Sequence, residues 1–231
     1  MEIGCIIRIF QNSLFRILEG GYFMRKSNYD MMAEQVRELF LQYDQQVMID
    51  KFNLKYDEEY LYPMLLRTEY RINRLNGKVT YLTETGEQLA GYNEVMSIFD
   101  MLCYSGDRPV SLSGCWESMG NLSGMKGGTH KEGGVLSGAA DYFSGKTEQL
   151  AAACAALGGK TGSKGDVSFI IPVFDFFPVY FQFWEGDDEF PAQISFFMDR
   201  NALQFVHYET LWFMLSFLVE RLKRDVARLL S

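Results

Sequence analysis

The densest run of carboxylates in the sequence is Trp184-Glu185-Gly186-Asp187-Asp188-Glu189-Phe190-Pro191. Glu185, Asp187, Asp188 and Glu189 fall within five residues, directly after an aromatic stretch. Carboxylates crowded into one turn can hold a hard cation such as magnesium or calcium. Crowding can also raise one carboxyl pKa until that group serves as a general acid. The spacing departs from calcium-loop motifs, which place acidic residues at alternate positions. The favoured reading is therefore a solvated hairpin turn whose charges keep a very apolar strand pair soluble. His207 and Glu209 form a second candidate pair. At i and i+2 they share a face only in extended chain. Glu209 is expected in the first turn of a helix, where the dipole favours a carboxylate, and His207 is expected to cap or pack.

Other chemistry-bearing residue types lack the required spacing. Gly124-Met125-Lys126-Gly127-Gly128-Thr129-His130-Lys131 and Gly158-Gly159-Lys160-Thr161-Gly162-Ser163-Lys164-Gly165-Asp166 mix glycine, lysine and hydroxyls, as phosphate-cradling loops do. Neither fits G-x-x-x-x-G-K-[ST], and the second follows a helical pattern instead of opening one. Ser111, Ser113 and Ser118 lie near Cys115, but no G-x-S-x-G elbow is present. Cys5, Cys103, Cys115 and Cys154 form no C-x-x-C pair, which suits a reducing compartment and argues against a local zinc or iron–sulfur cradle. With only His130 and His207, a multi-histidine metal site is excluded, and no metal ligands are assigned.

The elements that must position these residues show in the periodicity. Met32, Val36, Leu39, Tyr43 and Val47 share one stripe and predict a helix over 28–50, capped by Ser27 or Asn28. Tyr70, Ile72 and Arg74 alternate with their neighbours, and Asn76-Gly77 before Lys78–Leu82 predicts a type I′ hairpin. Tyr92, Val95, Met96, Phe99 and Leu102 mark a second helix. The segment 105–138 reads as a long loop with short extended pieces near Trp116. Helical phase returns over 139–157, ending at Gly158-Gly159. Three alternating runs centred on Phe169, Phe181 and Phe196 predict strands, with Pro172, Pro178 and Pro191 expected where strands end. Tyr208–Leu230 predicts a closing helix. The order suggests an α+β fold, an antiparallel sheet with helices packed on it around a single core.

Composition narrows the function classes. Of 231 residues 48% are hydrophobic and 15% aromatic, so the chain can bury a large core and is not of disordered composition. The formal charge of −8, with no basic run, argues against nucleic acid as a partner. The longest apolar stretch, 211–219, is far shorter than the roughly 20 residues that span a bilayer, so no membrane association is expected. Residues 1–5 lack the basic start and apolar core of a signal peptide, which predicts a cytoplasmic protein. Residues 1–23 read as an N-terminal extension: Glu19-Gly20-Gly21 can be encoded by a purine-rich stretch resembling a ribosome-binding site just before Met24. The expected domain is 24–231.

Lys164-Gly165-Asp166-Val167, the Trp184–Pro191 turn, Phe197-Met198-Asp199 and the helix beginning near Glu209 resemble the Domain of Unknown Function 3786 family of bacteria and archaea. The helix at 92–104 and the glycine-rich loop with Trp116 are similar as well. The resemblance runs from about Asn28 to Leu222 and is most specific over 165–210. It implies no established activity and transfers no catalytic residues. It does imply that Trp184 and the acidic turn are shared features. Some relatives join this domain to an iron–sulfur module and many come from anaerobes, which suggests an iron–sulfur or other redox protein, or a small molecule, as partner. This chain lacks the cysteine-rich part. The expected role is thus a small-ligand or protein-binding accessory module of anaerobic metabolism, with Trp184, Glu185, Asp187, Asp188, Glu189 and His207 as ligand-binding candidates. The alternative is a metal-assisted or carboxylate acid/base enzyme using the 185–189 turn.

Overall fold

A computed structural model describes residues 28–122 and 138–231. The expected extension 1–23, the Gly124–Lys131 loop and His130 lie outside the described residues. Seven helices and eleven strands are seen among those described, and every strand pairing is antiparallel, as the α+β reading expects. The helices are α1 (Asn28–Phe40), α2 (Gln45–Phe52), α3 (Tyr92–Cys103), α4 (Ala139–Phe143), α5 (Thr147–Ala156), α6 (Ala202–Phe205) and α7 (Tyr208–Leu230). The central strands are β9 (Val167–Phe174), β10 (Phe177–Trp184) and β11 (Gln193–Asp199), and β7 (Trp116–Ser118) pairs with the free side of β11. On the other side, β3 (Met64–Leu65) joins β9 to β4 (Thr68–Asn73), and β2 (Tyr60–Tyr62) and β1 (Lys55–Tyr56) continue the order. β5 (Val79–Thr83) and β6 (Gly86–Leu89) form a flap on β4, and β8 (Lys160–Thr161) pairs with β9.

Strand parity sets the core. The pairs Val179↔Ile171, Phe181↔Phe169 and Phe183↔Val167, with Phe181↔Phe196 and Val179↔Met198 on the other edge, put one alternating set on the inner face. All of these are buried, and so are Leu211, Leu215, Leu218, Leu222 and Val226 of α7, the helix that carries its apolar stripe into the same core. Each such side chain contributes about 1.5–3 kcal/mol by leaving water. Among the described residues no helix is long and apolar enough to cross a membrane.

Four expectations change in detail. The helix expected over 28–50 is two helices, because the Asp44 carboxylate accepts from the Gln46 N–H (2.9 Å) and starts a new one. The helix expected over 139–157 breaks between Phe143 and Thr147, where α4 ends and α5 begins. The two-residue hairpin turn is a five-residue connection, 74–78. Asn73 Oδ1 accepts from the N–H groups of Leu75 and Asn76, so the chain folds back early. Gly77 is still required there, with φ of +65° and a would-be Cβ 2.6 Å from Arg37 Cγ. Finally, Pro172 and Pro178 lie inside β9 and β10 and not at their ends. They face each other beside a register shift, where the ladder is already interrupted.

Candidate functional site

The acidic turn connects β10 to β11 and leaves the sheet at Trp184↔Gln193. Its carboxylates do not converge. Asp187 Oδ1 accepts from the N–H groups of Glu189 (2.9 Å) and Phe190 (2.8 Å), and its own N–H donates to Phe190 O. These backbone donors hold the Asp187 carboxyl below the usual range. Glu185 Oε2 accepts from the Gly145 N–H (3.0 Å) at the α4–α5 break, and the Glu185 N–H donates to Asp166 Oδ2 (2.7 Å). Asp188 and Glu189 are exposed. Two of the four candidate carboxylates therefore serve to close the turn and to tie it to the helix break. Among the described residues no three His, Cys, Asp or Glu side chains come together as a metal site.

His207 is placed elsewhere. It precedes α7, and Asp100 of α3 grips it twice: the His207 N–H donates to Oδ2 (2.8 Å), and Nδ1 lies 2.7 Å from Oδ1. The Tyr104 ring lies 4.1 Å from its imidazole. With Asp100 on Nδ1, the neutral ring carries its proton there and leaves Nε2 as the acceptor. The clasp joins the end of α3 to the start of α7. Asp100 was missed in the sequence, although a carboxylate inside the apolar run Ile98-Phe99-Asp100-Met101-Leu102 signals a buried partner. Glu209 lies in the first turn of α7, as expected.

A different constellation lies on the outer face of the central sheet, where parity aligns Ser168 of β9 with Tyr180, Gln182 and Trp184 of β10, Ser195, Phe197 and Asp199 of β11, and Trp116 of β7. The Tyr180 ring is 5.6 Å from Trp116 and 5.8 Å from Phe197, so three half-buried rings form one patch across three strands. Trp184 stands at the end of this row, 44% exposed, beside the acidic turn. Of the sequence candidates, the structure thus brings Trp184 to an aromatic face and leaves His207 apart from it, at the start of α7 and clasped to Asp100 of α3. The loop after β8 folds onto one margin, and only glycine fits at 162, where a Cβ would lie 2.3 Å from Ser168 Oγ and 2.6 Å from the Tyr180 ring. The Tyr180 hydroxyl receives the Ser163 N–H (3.3 Å) and the Ser168 hydroxyl (3.2 Å). Burial raises the Tyr180 pKa, but hydrogen bonds with Ser168, Ser163 and Gln182 outweigh it and bring it to about 8.

At the far end of β11, Asp199 latches the chain before β7. Its Oδ1 accepts from the N–H (2.9 Å) and hydroxyl (3.0 Å) of Ser113 and from the Asn201 N–H (2.8 Å), while Oδ2 accepts from the Gly114 N–H (2.8 Å). This latch positions Trp116. Away from this face, a concavity of about 350 Å³ lies between α2 and the end of α3, lined by Val47, Met48 and Leu102 among others. Next to it, Lys51 Nζ is occupied by Ser105 Oγ (2.8 Å) and Gly106 O (2.6 Å).

The family model described as Domain of unknown function (DUF3786) matches residues 44–221. The chain belongs to this family. The match contains the whole central sheet, the acidic turn and the Asp100–His207 clasp. It begins at the cap of α2, so α1 falls outside it, whereas the sequence resemblance was drawn from Asn28. No curated protein and no solved structure matches the chain significantly.

Proposed function

We propose that this DUF3786 domain is a binding module, and that its ligand surface is the outer face of β9, β10, β11 and β7. The observation that carries this reading is the Trp116–Tyr180–Phe197 patch, with Trp184 at its rim. Edge and face contacts between rings favour a planar guest laid against such a patch. The groups between and beside the rings, Ser168, Gln182 and Ser195, are polar and uncharged. Asp199, the carboxylate in line with them, is already used by four donors. That chemistry suits a neutral planar small molecule better than an anion.

The carboxylate acid/base alternative receives less support, because Asp187 and Glu185 spend their oxygens on backbone N–H groups. A protein partner, such as the redox protein expected from the family resemblance, is a second reading. It is supported by Trp184 and Phe190, 44% and 62% exposed at the rim. The test is a thermal-shift titration with 2,3-dimethylnaphthalene. A ligand that binds only the folded state stabilises it by RT ln(1 + L/Kd) at free concentration L, so Tm keeps rising as its concentration exceeds Kd. Binding should appear in the native chain and be lost in Trp116→Ala. Equal responses from the two proteins would overturn the reading.

A further inference from the structure

The cleft between α2 and the segment that follows α3 uses none of the outer-face residues, and its charge is one-sided. Spacings of three and four place Asp44, Val47, Met48 and Lys51 along one side of α2. Opposite them, α3 ends at Cys103 and the chain turns at Gly106, whose φ is +54° and whose N–H donates to Cys103 O (3.0 Å). A Cβ at Gly106 would meet nothing within 4 Å, so the cleft is open beside this turn. Met48 and Leu102 are buried and form the floor, with Tyr43 and Val47 half-buried along it. The two charged residues of the lining are both carboxylates, Asp44 and Asp107, exposed at the mouth. Asp44 uses Oδ1 on the Gln46 N–H, and Asp107 accepts no hydrogen bond among the described residues. The neighbouring cations are engaged elsewhere. Lys51 Nζ donates to Ser105 Oγ and Gly106 O, and Asp107 acts on it through space without an ion pair. Arg108 donates from Nε to Ser105 O and from Nη2 to Tyr104 O, and lies over the Tyr104 ring.

We infer that this cleft is a second binding site, for a small organic amine: a primary ammonium group held between Asp44 and Asp107, on a single-ring apolar body seated against Met48 and Leu102. A cavity of about 150 Å³ holds benzene, so one of about 350 Å³ takes a ring and a short chain and leaves water at the mouth. Tyr43 and the Met48 thioether suit an aromatic body, because rings and sulfur attract ring edges and faces. An anionic ligand would meet two like charges at the mouth. A neutral apolar ligand would strip water from the carboxylates and return nothing for it. An ammonium group replaces that water with charge-assisted hydrogen bonds to the open oxygens, while its body removes the apolar floor from water.

The experiment titrates the full, nitrogen-labelled chain at neutral pH with three probes that share one ring: phenethylamine, phenethyl alcohol and hydrocinnamate. Backbone amide NMR shifts locate the binding and give dissociation constants. Phenethylamine, a cation, should shift the amides of residues 44–51 and 102–107 and bind most tightly. Phenethyl alcohol should bind the same segments about tenfold more weakly, and hydrocinnamate should leave them unmoved. An exposed charge pair is worth up to about fivefold. Asp44→Asn and Asp107→Asn should therefore each weaken the amine roughly two- to fivefold and together bring it to the level of the alcohol. The change at 44 keeps an acceptor for the Gln46 N–H, so α2 stays capped. Unchanged alcohol binding shows that the double variant keeps an intact cleft, and Val47→Trp should fill the cleft and abolish binding of both. Equal affinity for alcohol and amine, full amine affinity in the double variant, amine shifts centred elsewhere, or no shift with any probe overturns the inference. The outer-face reading is decided separately, by its own response to 2,3-dimethylnaphthalene.

Discussion

Replacing Asp199 by alanine removes the acceptor for four hydrogen bonds, three of them from backbone N–H groups of Ser113, Gly114 and Asn201. Bonds to an ionised acceptor are worth about 1.5–3 kcal/mol each when isolated. They are not additive here: Ser113 and Gly114 are exposed, so water replaces part of what they lose. Asp199 itself is 2% exposed, and its loss also opens a small gap against β7. A net destabilisation of about 3 kcal/mol follows, which for a chain of this size lowers Tm by about 6–12 °C. Asp199→Asn keeps Oδ1 and its three bonds but turns an amide donor toward the Gly114 N–H, and should cost about 1–1.5 kcal/mol. Burial pushes the Asp199 carboxyl up, but the four donors outweigh it and hold it below the ordinary value of 3.8. As pH falls, the unfolded chain therefore takes up this proton first. The contribution is complete above the unfolded value and is lost as pH drops through the folded one. Urea unfolding at pH 7 and at successively lower pH measures both effects. An Asp199→Ala chain that melts within about 1 °C of the native protein, or that loses stability in acid as steeply as the native chain, would refute the latch.

Other consequences are accessible to simple measurements. Leu66 and Arg67, in the turn between β3 and β4, both adopt left-handed φ values of 47° and 58° without being glycine. Arg221 Nη1 holds this turn through Leu66 O (3.3 Å) and Thr68 Oγ1 (3.1 Å). Arg67→Gly should therefore stabilise the fold by about 1 kcal/mol in denaturant unfolding, and a loss of stability would argue against strain at that position. Tyr180 should ionise near pH 8, below its ordinary value of 10, and appear as one early step in the ultraviolet absorbance titration. Tyr180→Phe should lack that step, and a native curve in which every tyrosine ionises above pH 9 contradicts the hydrogen-bond cluster around it.

Much of the architecture follows from patterns that water imposes on a chain. The closing helix and the three aromatic strands with their alternating faces follow from periods of 3.6 and 2 alone, because burial selects one stripe or one face wherever the element sits. Helix ends near Asp44 and Gly145 and the true length of the 74–78 connection depend on particular side-chain and backbone hydrogen bonds, which periodicity does not register. The candidate site divides in the same way. Trp184 and the acidic turn were visible in the sequence as residue types in one place, and alternation alone puts Tyr180, Gln182 and Trp184 on a common face of β10. Only the pairing of strands from distant parts of the chain brings Trp116, Tyr180 and Phe197 together, directs the Ser163 and Ser168 donors at one phenol, and gives His207 to Asp100 instead of to the turn. Composition can supply such groups, but contact between residues some 60 to 110 positions apart is decided by tertiary packing.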